Sequence, residues 1–430
     1  MSDLVTRAQI ILLARTLHVA PERIAHLERL GAECLHELQQ RMAAVIFAQH
    51  AETFRRISKL VPIIPLSVSM PLVQRLVPPA MTGRAAGAIG AEHPKKAAET
   101  IALLGVSYAA DCAPYMDPRT VGPLADAAPA EPIMEVLAEV LRRRDYVTAG
   151  PFLGYATPRL IEAVERGVHD DEGLIFAAAY AYSSASINAI LRQFVAGSQQ
   201  RIPQVLQTVL AGSTALQQAA LSVLARCEPD LMAELADILF SVGSSEAVGH
   251  LIATAIHVGA AAELLTFIGH AGSASLARVA VNPIFGNDAV LAALLGAIAG
   301  RPEVGAWRGL LALAERTGAA TQQRIAGLLA GLPDSALAAL PSVAAEADLW
   351  PMLLPVIAAG GPEVHTRIGA VWANLPQERI AGLEMRIHES GLDTRLAALT
   401  RQVPSVSVEE VFFRRRRMGR RRNVPESWEE

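Results

Sequence analysis

Hydrophobic positions near the N-terminus recur at helical spacing. Pro21 and Glu22 suit the first turn of a helix, because proline lacks an N–H and a carboxylate favours the positive end of the helix dipole. The apolar positions that follow are three or four residues apart: Leu27, Leu30, Cys34, Leu38, Met42 and Val45. The pattern predicts one long amphipathic helix running toward Lys59. This N-terminal helical segment, 1–60, would pack against its own domain or pair with a second copy of the chain.

An apolar segment interrupted by prolines follows at 61–81. Pro62, Pro65 and Pro71 interrupt helical hydrogen bonding, and the uninterrupted run is shorter than the ~20 residues that cross a bilayer. We predict a buried or half-buried connector. Contact with a membrane surface is the alternative, and its candidate residues are Ile63, Ile64 and Leu66.

The remaining chain is divided into short apolar segments by proline and glycine. A proline followed by a charge is typical of a helix start, and a glycine is typical of a helix end. Asp117 and Thr157 are predicted N-caps. Starts recur about every 30 residues, as expected for repeated helix pairs. The predicted fold is all-α: an α-helical repeat, or solenoid, with a first repeat region at 82–200 and an Ala/Leu-rich second one at 201–404. The predicted glycine ends are Gly212, Gly243, Gly259, Gly272, Gly300, Gly318, Gly331, Gly360 and Gly391.

Composition narrows the class of protein. Hydrophobic residues make up 52% of the 430 residues and aromatic residues 5%, which argues against a disordered body and against a β-sandwich. Lysine is scarce and arginine abundant, a usage that suggests a GC-rich bacterial genome. The cysteines Cys34, Cys112 and Cys227 are too few and too widely spaced for a disulfide framework. We found no secretory signal pattern, so we expect a cytoplasmic protein, with peripheral membrane association as an option.

One stretch resembles a known family. The segment 77–168 contains leucine-rich short helices separated by acidic-proline turns: Ala97 to Leu104, Met116 to Arg119 and Ala156 to Leu160. It is similar to the superhelical N-terminal domain of the MgtE-type magnesium transporters. The resemblance covers about a fifth of the chain and implies a stacked helical fold. It transfers no functional residue.

Motifs that carry common catalytic chemistry are missing from the sequence. We found no phosphate-binding loop, nucleophile elbow, HExxH or CxxC pattern. The acidic cluster Asp170–Asp171–Glu172 could bind a cation, but it precedes an apolar run and fits a helix start better. His250 and His257 lack a nearby third ligand. We therefore predict no catalytic residue, no cofactor and no metal site.

The C-terminal segment, 405–430, has a separate character. The chain carries a net charge of −4, and seven clustered arginines contribute +7, so the rest carries −11. Such a block is predicted to be a disordered basic tail. It could bind a protein, an anionic membrane with two phenylalanines inserted, or nucleic acid without sequence preference. The basic residues are Arg414, Arg415, Arg416, Arg417, Arg420, Arg421 and Arg422, and the aromatic pair is Phe412 and Phe413.

The function that best fits these features is a non-catalytic scaffold or adaptor. Its repeat surface would bind a protein partner and its tail would localise it. A carrier of lipid or another hydrophobic ligand, or a coat on a membrane or granule, is the alternative. An all-α enzyme whose catalytic residues form no known motif is the third possibility.

Overall fold

The computed structural model describes residues 4–60, 66–120, 126, 130–197, 201–301, 303–380 and 382–403, with side chains inside helices left aside at 47–60, 66–69, 87–92, 94, 96, 98 and 377. The elements in these ranges are α-helices and 3₁₀ helices, and no strand occurs among them. The prediction of an all-α helical repeat is confirmed.

The chain forms two compact units, Met1–Gly243 (unit 1) and Ser244–Glu430 (unit 2). The composition shift near residue 200 is not the point of division. The side chain of Arg201 donates hydrogen bonds back to Val164 and Glu165, so the helices on either side of 198–200 pack into one unit. In a stacked array, a change of composition between neighbouring helices does not interrupt packing.

Short helices account for most of unit 1. They are α1 (Leu4–Leu17), α2 (Gly31–Leu60), α3 (Leu66–Leu76), α4 (Pro79–Glu92), α5 (Pro94–Leu103), α6 (Val106–Cys112), α7 (Glu131–Arg142), α8 (Tyr146–Leu153), α9 (Pro158–Gly167), α10 (Asp171–Tyr180), α11 (Ser184–Ala196), α12 (Arg201–Ala211), α13 (Thr214–Leu224) and α14 (Pro229–Val242).

Unit 2 also consists mostly of short helices. Its helices are α15 (Ser245–Val258), α16 (Ala261–Ile268), α17 (Ser273–Ala280), α18 (Asp288–Ile298), α19 (Val304–Arg316), α20 (Ala319–Ala330), α21 (Asp334–Glu346), α22 (Trp350–Ala358), α23 (Pro362–Trp372), α24 (Gln377–Ile380), α25 (Leu383–Glu389) and α26 (Ala397–Thr400).

Helices pack mainly on partners two or three places along the chain. In unit 1, α8 packs on α10, α10 on α13 and α12 on α14; in unit 2, α16 packs on α19, α19 on α22 and α20 on α22. This spacing is the contact pattern of stacked helical repeats, in which each element is buried by its neighbours. In the described part of the chain, no single helix is long and apolar enough to cross a membrane; α20 and α21 satisfy that test only as a pair bent by 117°.

Several helix starts use the predicted caps. The hydroxyl of Thr157 accepts the N–H of Leu160, and the carboxylate of Asp170 accepts the N–H of Gly173 at 2.8 Å. Asp117 accepts the N–H of Arg119 at the start of a 3₁₀ turn. These side chains satisfy N–H groups that have no partner within the helix. The acidic cluster at 170–172 therefore contributes to a helix N-terminus, as predicted.

The N-terminal segment differs from its prediction. Two 3₁₀ helices, Pro21–Arg23 and Ala25–Leu30, precede Gly31, whose φ of +74° redirects the chain before α2 begins. A 3₁₀ helix has about three residues per turn, so the spacing of the stripe changes at Gly31. Leu27, Leu38 and Met42 of the predicted stripe nevertheless pack on one apolar cluster with Leu13 and Leu35. Leu35 is fully buried, whereas Leu30 and Val45 are 43% and 55% exposed and Cys34 is exposed.

Prolines also lie inside helices, and one of them is Pro71, which was predicted to interrupt helical hydrogen bonding. Part of the predicted connector is helical, because α3 includes Pro71 and α4 begins at Pro79. Pro151, Pro341 and Pro355 likewise lie within α8, α21 and α22. An interior proline costs ~3 kcal/mol in helix formation, a cost that burial of the helix faces in a stacked array offsets.

Helix α1 is docked onto unit 1 by polar contacts as well as by its apolar face. Arg15 donates to Asp145 at 2.9 Å and to the hydroxyl of Thr148 at 2.7 Å. On α2, the ring of His36 stacks on Tyr182 with centroids 3.9 Å apart. Both contacts join the N-terminal helices to α8 and to the loop after α10, so the N-terminal segment is part of unit 1.

Candidate functional site

A cavity of about 260 Å³ lies inside unit 1. Every helix from α4 to α14 contributes described residues to its wall, and almost all of them are aliphatic or aromatic. Adjacent packed helices lie ~8–10 Å apart, so a cavity bordered by this many helices is extended rather than round. Several large wall residues are only half-buried and leave apolar surface facing the cavity; they include Ile133, Leu137, Phe152, Leu174, Leu191 and Val205.

The wall is built from a repeated pattern of apolar side chains. Three helices each contribute residues at positions i, i+3, i+4 and i+7, which lie on one face of an α-helix. The repetition is visible in the sequence, but it does not distinguish a cavity wall from an ordinary core face. The residues are Ile133, Val136, Leu137 and Val140 on α7; Ile187, Ile190, Leu191 and Phe194 on α11; and Ile202, Val205, Leu206 and Val209 on α12.

Alanines complete the wall. They lie on α4, α5, α6, α8, α10 and α13 and in the adjoining turns, among the larger residues. A methyl group fills less volume than the aliphatic side chains beside it, so unfilled space remains between the helices. The wall alanines are Ala86, Ala97, Ala109, Ala113, Ala149, Ala156, Ala178 and Ala220.

One charged residue, Asp171, belongs to the described wall. Its Oδ1 accepts hydrogen bonds from Nη2 and Nε of Arg201 at 2.6 and 3.0 Å. Arg201 is 5% exposed and is not a wall residue; its guanidinium carbon lies 5.7 Å from the ring centroid of Phe194, which is one. The charge of Asp171 is therefore balanced by a buried partner beside the wall.

Arg201 also completes helix α9. Its Nη1 donates to the carbonyls of Val164 and Glu165, each at 3.0 Å, and its Nη2 donates to the carbonyl of Val168. The last carbonyls of a helix lack partners within it, and here one arginine supplies them. Arg201 consequently holds α9, α10 and α12 together around the cavity.

At the α4 end the wall contains Thr82 and Cys112. The Tyr108 hydroxyl donates to the carbonyl of Val77 at 2.8 Å and lies 2.7 Å from Oγ1 of Thr82. Burial raises the pKa of the Cys112 thiol to about 11, with a smaller effect from the nearby Asp111 carboxylate. The thiol is therefore protonated at neutral pH and behaves as an apolar wall group.

Exposed apolar side chains lie next in sequence to wall residues at this end of the cavity. Met81 and Leu103 are 63% and 47% exposed, and they directly precede the wall residues Thr82 and Leu104. On the adjacent helix α3, Leu72 and Leu76 are also exposed. Exposed apolar side chains are therefore close in sequence to the wall residues at this end.

The cavity wall is known only from the described side chains, and those of the sequence-predicted contact residues are not among them. Leu66 is the first residue of α3, and its side chain lies outside the described residues. The other candidates also lie outside the described ranges, so their roles stay predictions: Ile63, Ile64, Phe412, Phe413, Arg414, Arg415, Arg416, Arg417, Arg420, Arg421 and Arg422. Within the described ranges, no group of three or more His, Cys, Asp or Glu side chains is arranged to hold a metal ion.

Comparisons with known proteins add little. No family model and no curated protein matches the chain, so the likeness to MgtE-type transporters stays a prediction. One similar solved structure is a circular tandem repeat protein with novel repeat topology and enhanced subunit contact surfaces. It aligns with 97% of this chain and 98% of its own, at 15% identity and a TM-score of 0.21. This similarity is too low to support an argument about function.

Proposed function

We propose that unit 1 binds a small hydrophobic molecule and that the protein acts as a carrier for it. The observation that supports the proposal is the apolar cavity of about 260 Å³ inside the stack. Ligand sites are usually concave and mostly apolar, with a few polar groups. The alternative function predicted from the sequence, a hydrophobic-ligand carrier, therefore gains more support than the scaffold, which stays a prediction.

The volume sets the size of the ligand. A cavity of ~150 Å³ holds benzene, so 260 Å³ holds about ten carbon atoms on the same scale. A longer molecule would leave the rest of its chain outside. Met81 and Leu103 are exposed next in sequence to the wall residues Thr82 and Leu104, so this end of the cavity is the proposed entrance for a ligand.

The expected affinity follows from the buried surface. Transfer of each methylene from water contributes about 0.8 kcal/mol, or about 8 kcal/mol for ten carbons. Loss of ligand freedom on binding offsets part of this. We therefore expect a Kd of about 1–100 µM.

The test is binding of 1-aminonaphthalene, a neutral apolar fluorophore with ten carbons, to the full chain, followed by displacement with 1-decanol. Ala178→Phe places a phenyl ring in the cavity from α10 and should raise the Kd of the fluorophore and that of 1-decanol by at least tenfold. Ala189→Phe is the matched control, because Ala189 is exposed on α11 and is not a wall residue. Circular dichroism should show that both variants are folded.

Two results would contradict the proposal. One is no fluorescence change with the wild-type protein. The other is equal binding by folded Ala178→Phe and Ala189→Phe, which would mean that the fluorophore binds elsewhere.

A further inference from the structure

We propose that the cavity selects an uncharged ligand, an apolar chain whose polar end is at most a hydroxyl. This inference rests on the proposed function and specifies the ligand class of the same site. It follows from the charges of the wall, the hydrogen bonds of Arg201 and the hydroxyl of Thr82.

The described wall offers no cation to an anionic head group. Its members include no lysine, arginine or histidine, and Asp171 is the charged residue among them. A carboxylate or phosphate entering the cavity would lose its hydration and would approach an existing negative charge. Burial of an ion without a partner is strongly unfavourable.

Arg201 is close to the wall but has no donor left to give. A guanidinium carries five N–H groups. Nε and one Nη2 proton serve Asp171, the second Nη2 proton serves Val168, and the two Nη1 protons serve Val164 and Glu165. An anionic ligand could recruit Arg201 only by removing partners from Asp171 or from the end of α9.

A cationic ligand would also gain little electrostatic attraction from the wall. Asp171 already forms an ion pair with Arg201 at 2.6 Å, so its charge is compensated before any ligand arrives. An ammonium group would have to compete with a guanidinium that is fixed by four further hydrogen bonds.

The α4 end suits a hydroxyl. Tyr108 has one hydroxyl proton, and it is directed to the carbonyl of Val77. The 2.7 Å contact between Thr82 and Tyr108 therefore uses the proton of Thr82, which leaves Oγ1 of Thr82 as an acceptor. A ligand O–H can donate to it, whereas a carboxylate cannot.

The test compares three ligands of equal chain length: 1-decanol, decanoate and decylammonium. Each displaces 1-aminonaphthalene from the full chain at pH 7.5, with all ligands kept below their micelle concentrations. We expect 1-decanol to bind at least tenfold more tightly than either ion, because its head group enters the cavity without a charge.

The outcomes separate this inference from the proposed function. If either ion binds within tenfold of 1-decanol, or more tightly, the head group stays in water or meets a partner, and the inference is wrong while the carrier function stands. If none of the three displaces the fluorophore, the carrier function fails and the inference fails with it.

Discussion

Replacement of Arg201 tests whether one buried arginine holds the cavity wall together. Arg201→Met keeps an apolar stem of similar length but removes all five donors. Asp171 and the carbonyls of Glu165 and Val168 then lose the hydrogen bonds of Arg201, and the carbonyl of Val164 keeps the N–H of Val168. Arg201 itself is 5% exposed. The substitution leaves a carboxylate without its counter-ion and uncaps α9.

The expected loss of stability is large. Removing one partner of a buried ion pair costs about 3–5 kcal/mol. In a unit of this size, each kcal/mol lowers the Tm by about 2–4 °C, so unit 1 should melt at least 6 °C earlier. Arg201→Lys restores the charge but not the planar array of five donors. We expect its Tm to lie between those of the wild type and Arg201→Met.

Arg192 provides a matched control. It also forms two ion pairs, with Glu228 and Asp230, but its side chain is 43% exposed and those of its partners 56% and 65%. Exposed pairs contribute little, because water and salt screen them. Arg192→Met should leave the Tm nearly unchanged, although Arg192 holds the pKa of Asp230 down at about 2.

The assay is thermal unfolding combined with hydrogen exchange of peptides from α9, α10 and α12, because the two units need not unfold together. Faster exchange in those peptides of Arg201→Met, and not of Arg192→Met, is the expected result. An Arg201→Met protein that melts within 2 °C of the wild type would refute the assigned role.

Three further predictions concern single residues. In unit 2, Gly309→Ala should destabilise the contact between α16 and α19, because the new methyl would lie 1.8 Å from the carbonyl oxygen of Leu265. The control Gly327→Ala places its methyl in open space and should stabilise the protein by about 0.5–1 kcal/mol. Equal unfolding midpoints of the two variants in urea would contradict this. Burial lowers the pKa of His36 below 6.5, so the unfolded state takes up a proton more readily and stability should fall as the pH drops below about 6.5. Hydrogen exchange of peptides from α1 and α2 at pH 7.5 and 5.5 measures this fall, which should be smaller in His36→Gln. Burial raises the pKa of Cys112 to about 11 and that of Cys227 to about 12, so iodoacetamide at pH 8 should modify the exposed Cys34 first, and mass spectrometry that finds Cys227 modified first would contradict it.

Capping residues in the sequence predicted where helices begin, whereas prolines were a poorer guide to where helices end. Caps such as Thr157 and Asp170 act within a few residues, so a sequence shows them directly. Pro71 was interpreted as a break, yet it lies inside a helix, as does Pro151. Whether a helix tolerates a proline depends on the packing of its faces, which involves residues far away in the sequence.

The candidate site was not predictable in the same way. The i, i+3, i+4 and i+7 stripes on α7, α11 and α12 look like ordinary core faces. No pattern in the neighbouring sequence identifies Arg201 either, since its hydrogen-bond partners lie 30 or more positions earlier. The arginines at 414–422 are the residues that the sequence marks most clearly, and their role stays a prediction because the tail is outside the described residues.

Small residues show why composition alone could not separate a packed core from a cavity. In unit 2, Gly269 and Gly309 face each other so closely that a methyl on either would meet the other's backbone within about 3.1 Å. In unit 1, Ala149 and Ala178 line unfilled space. Small side chains bring helices together where the backbones can approach, and leave a void where larger neighbours such as Phe152 and Leu174 hold them apart. The same composition thus gives a tight contact or a binding cavity, depending on which residues face each other across the stack.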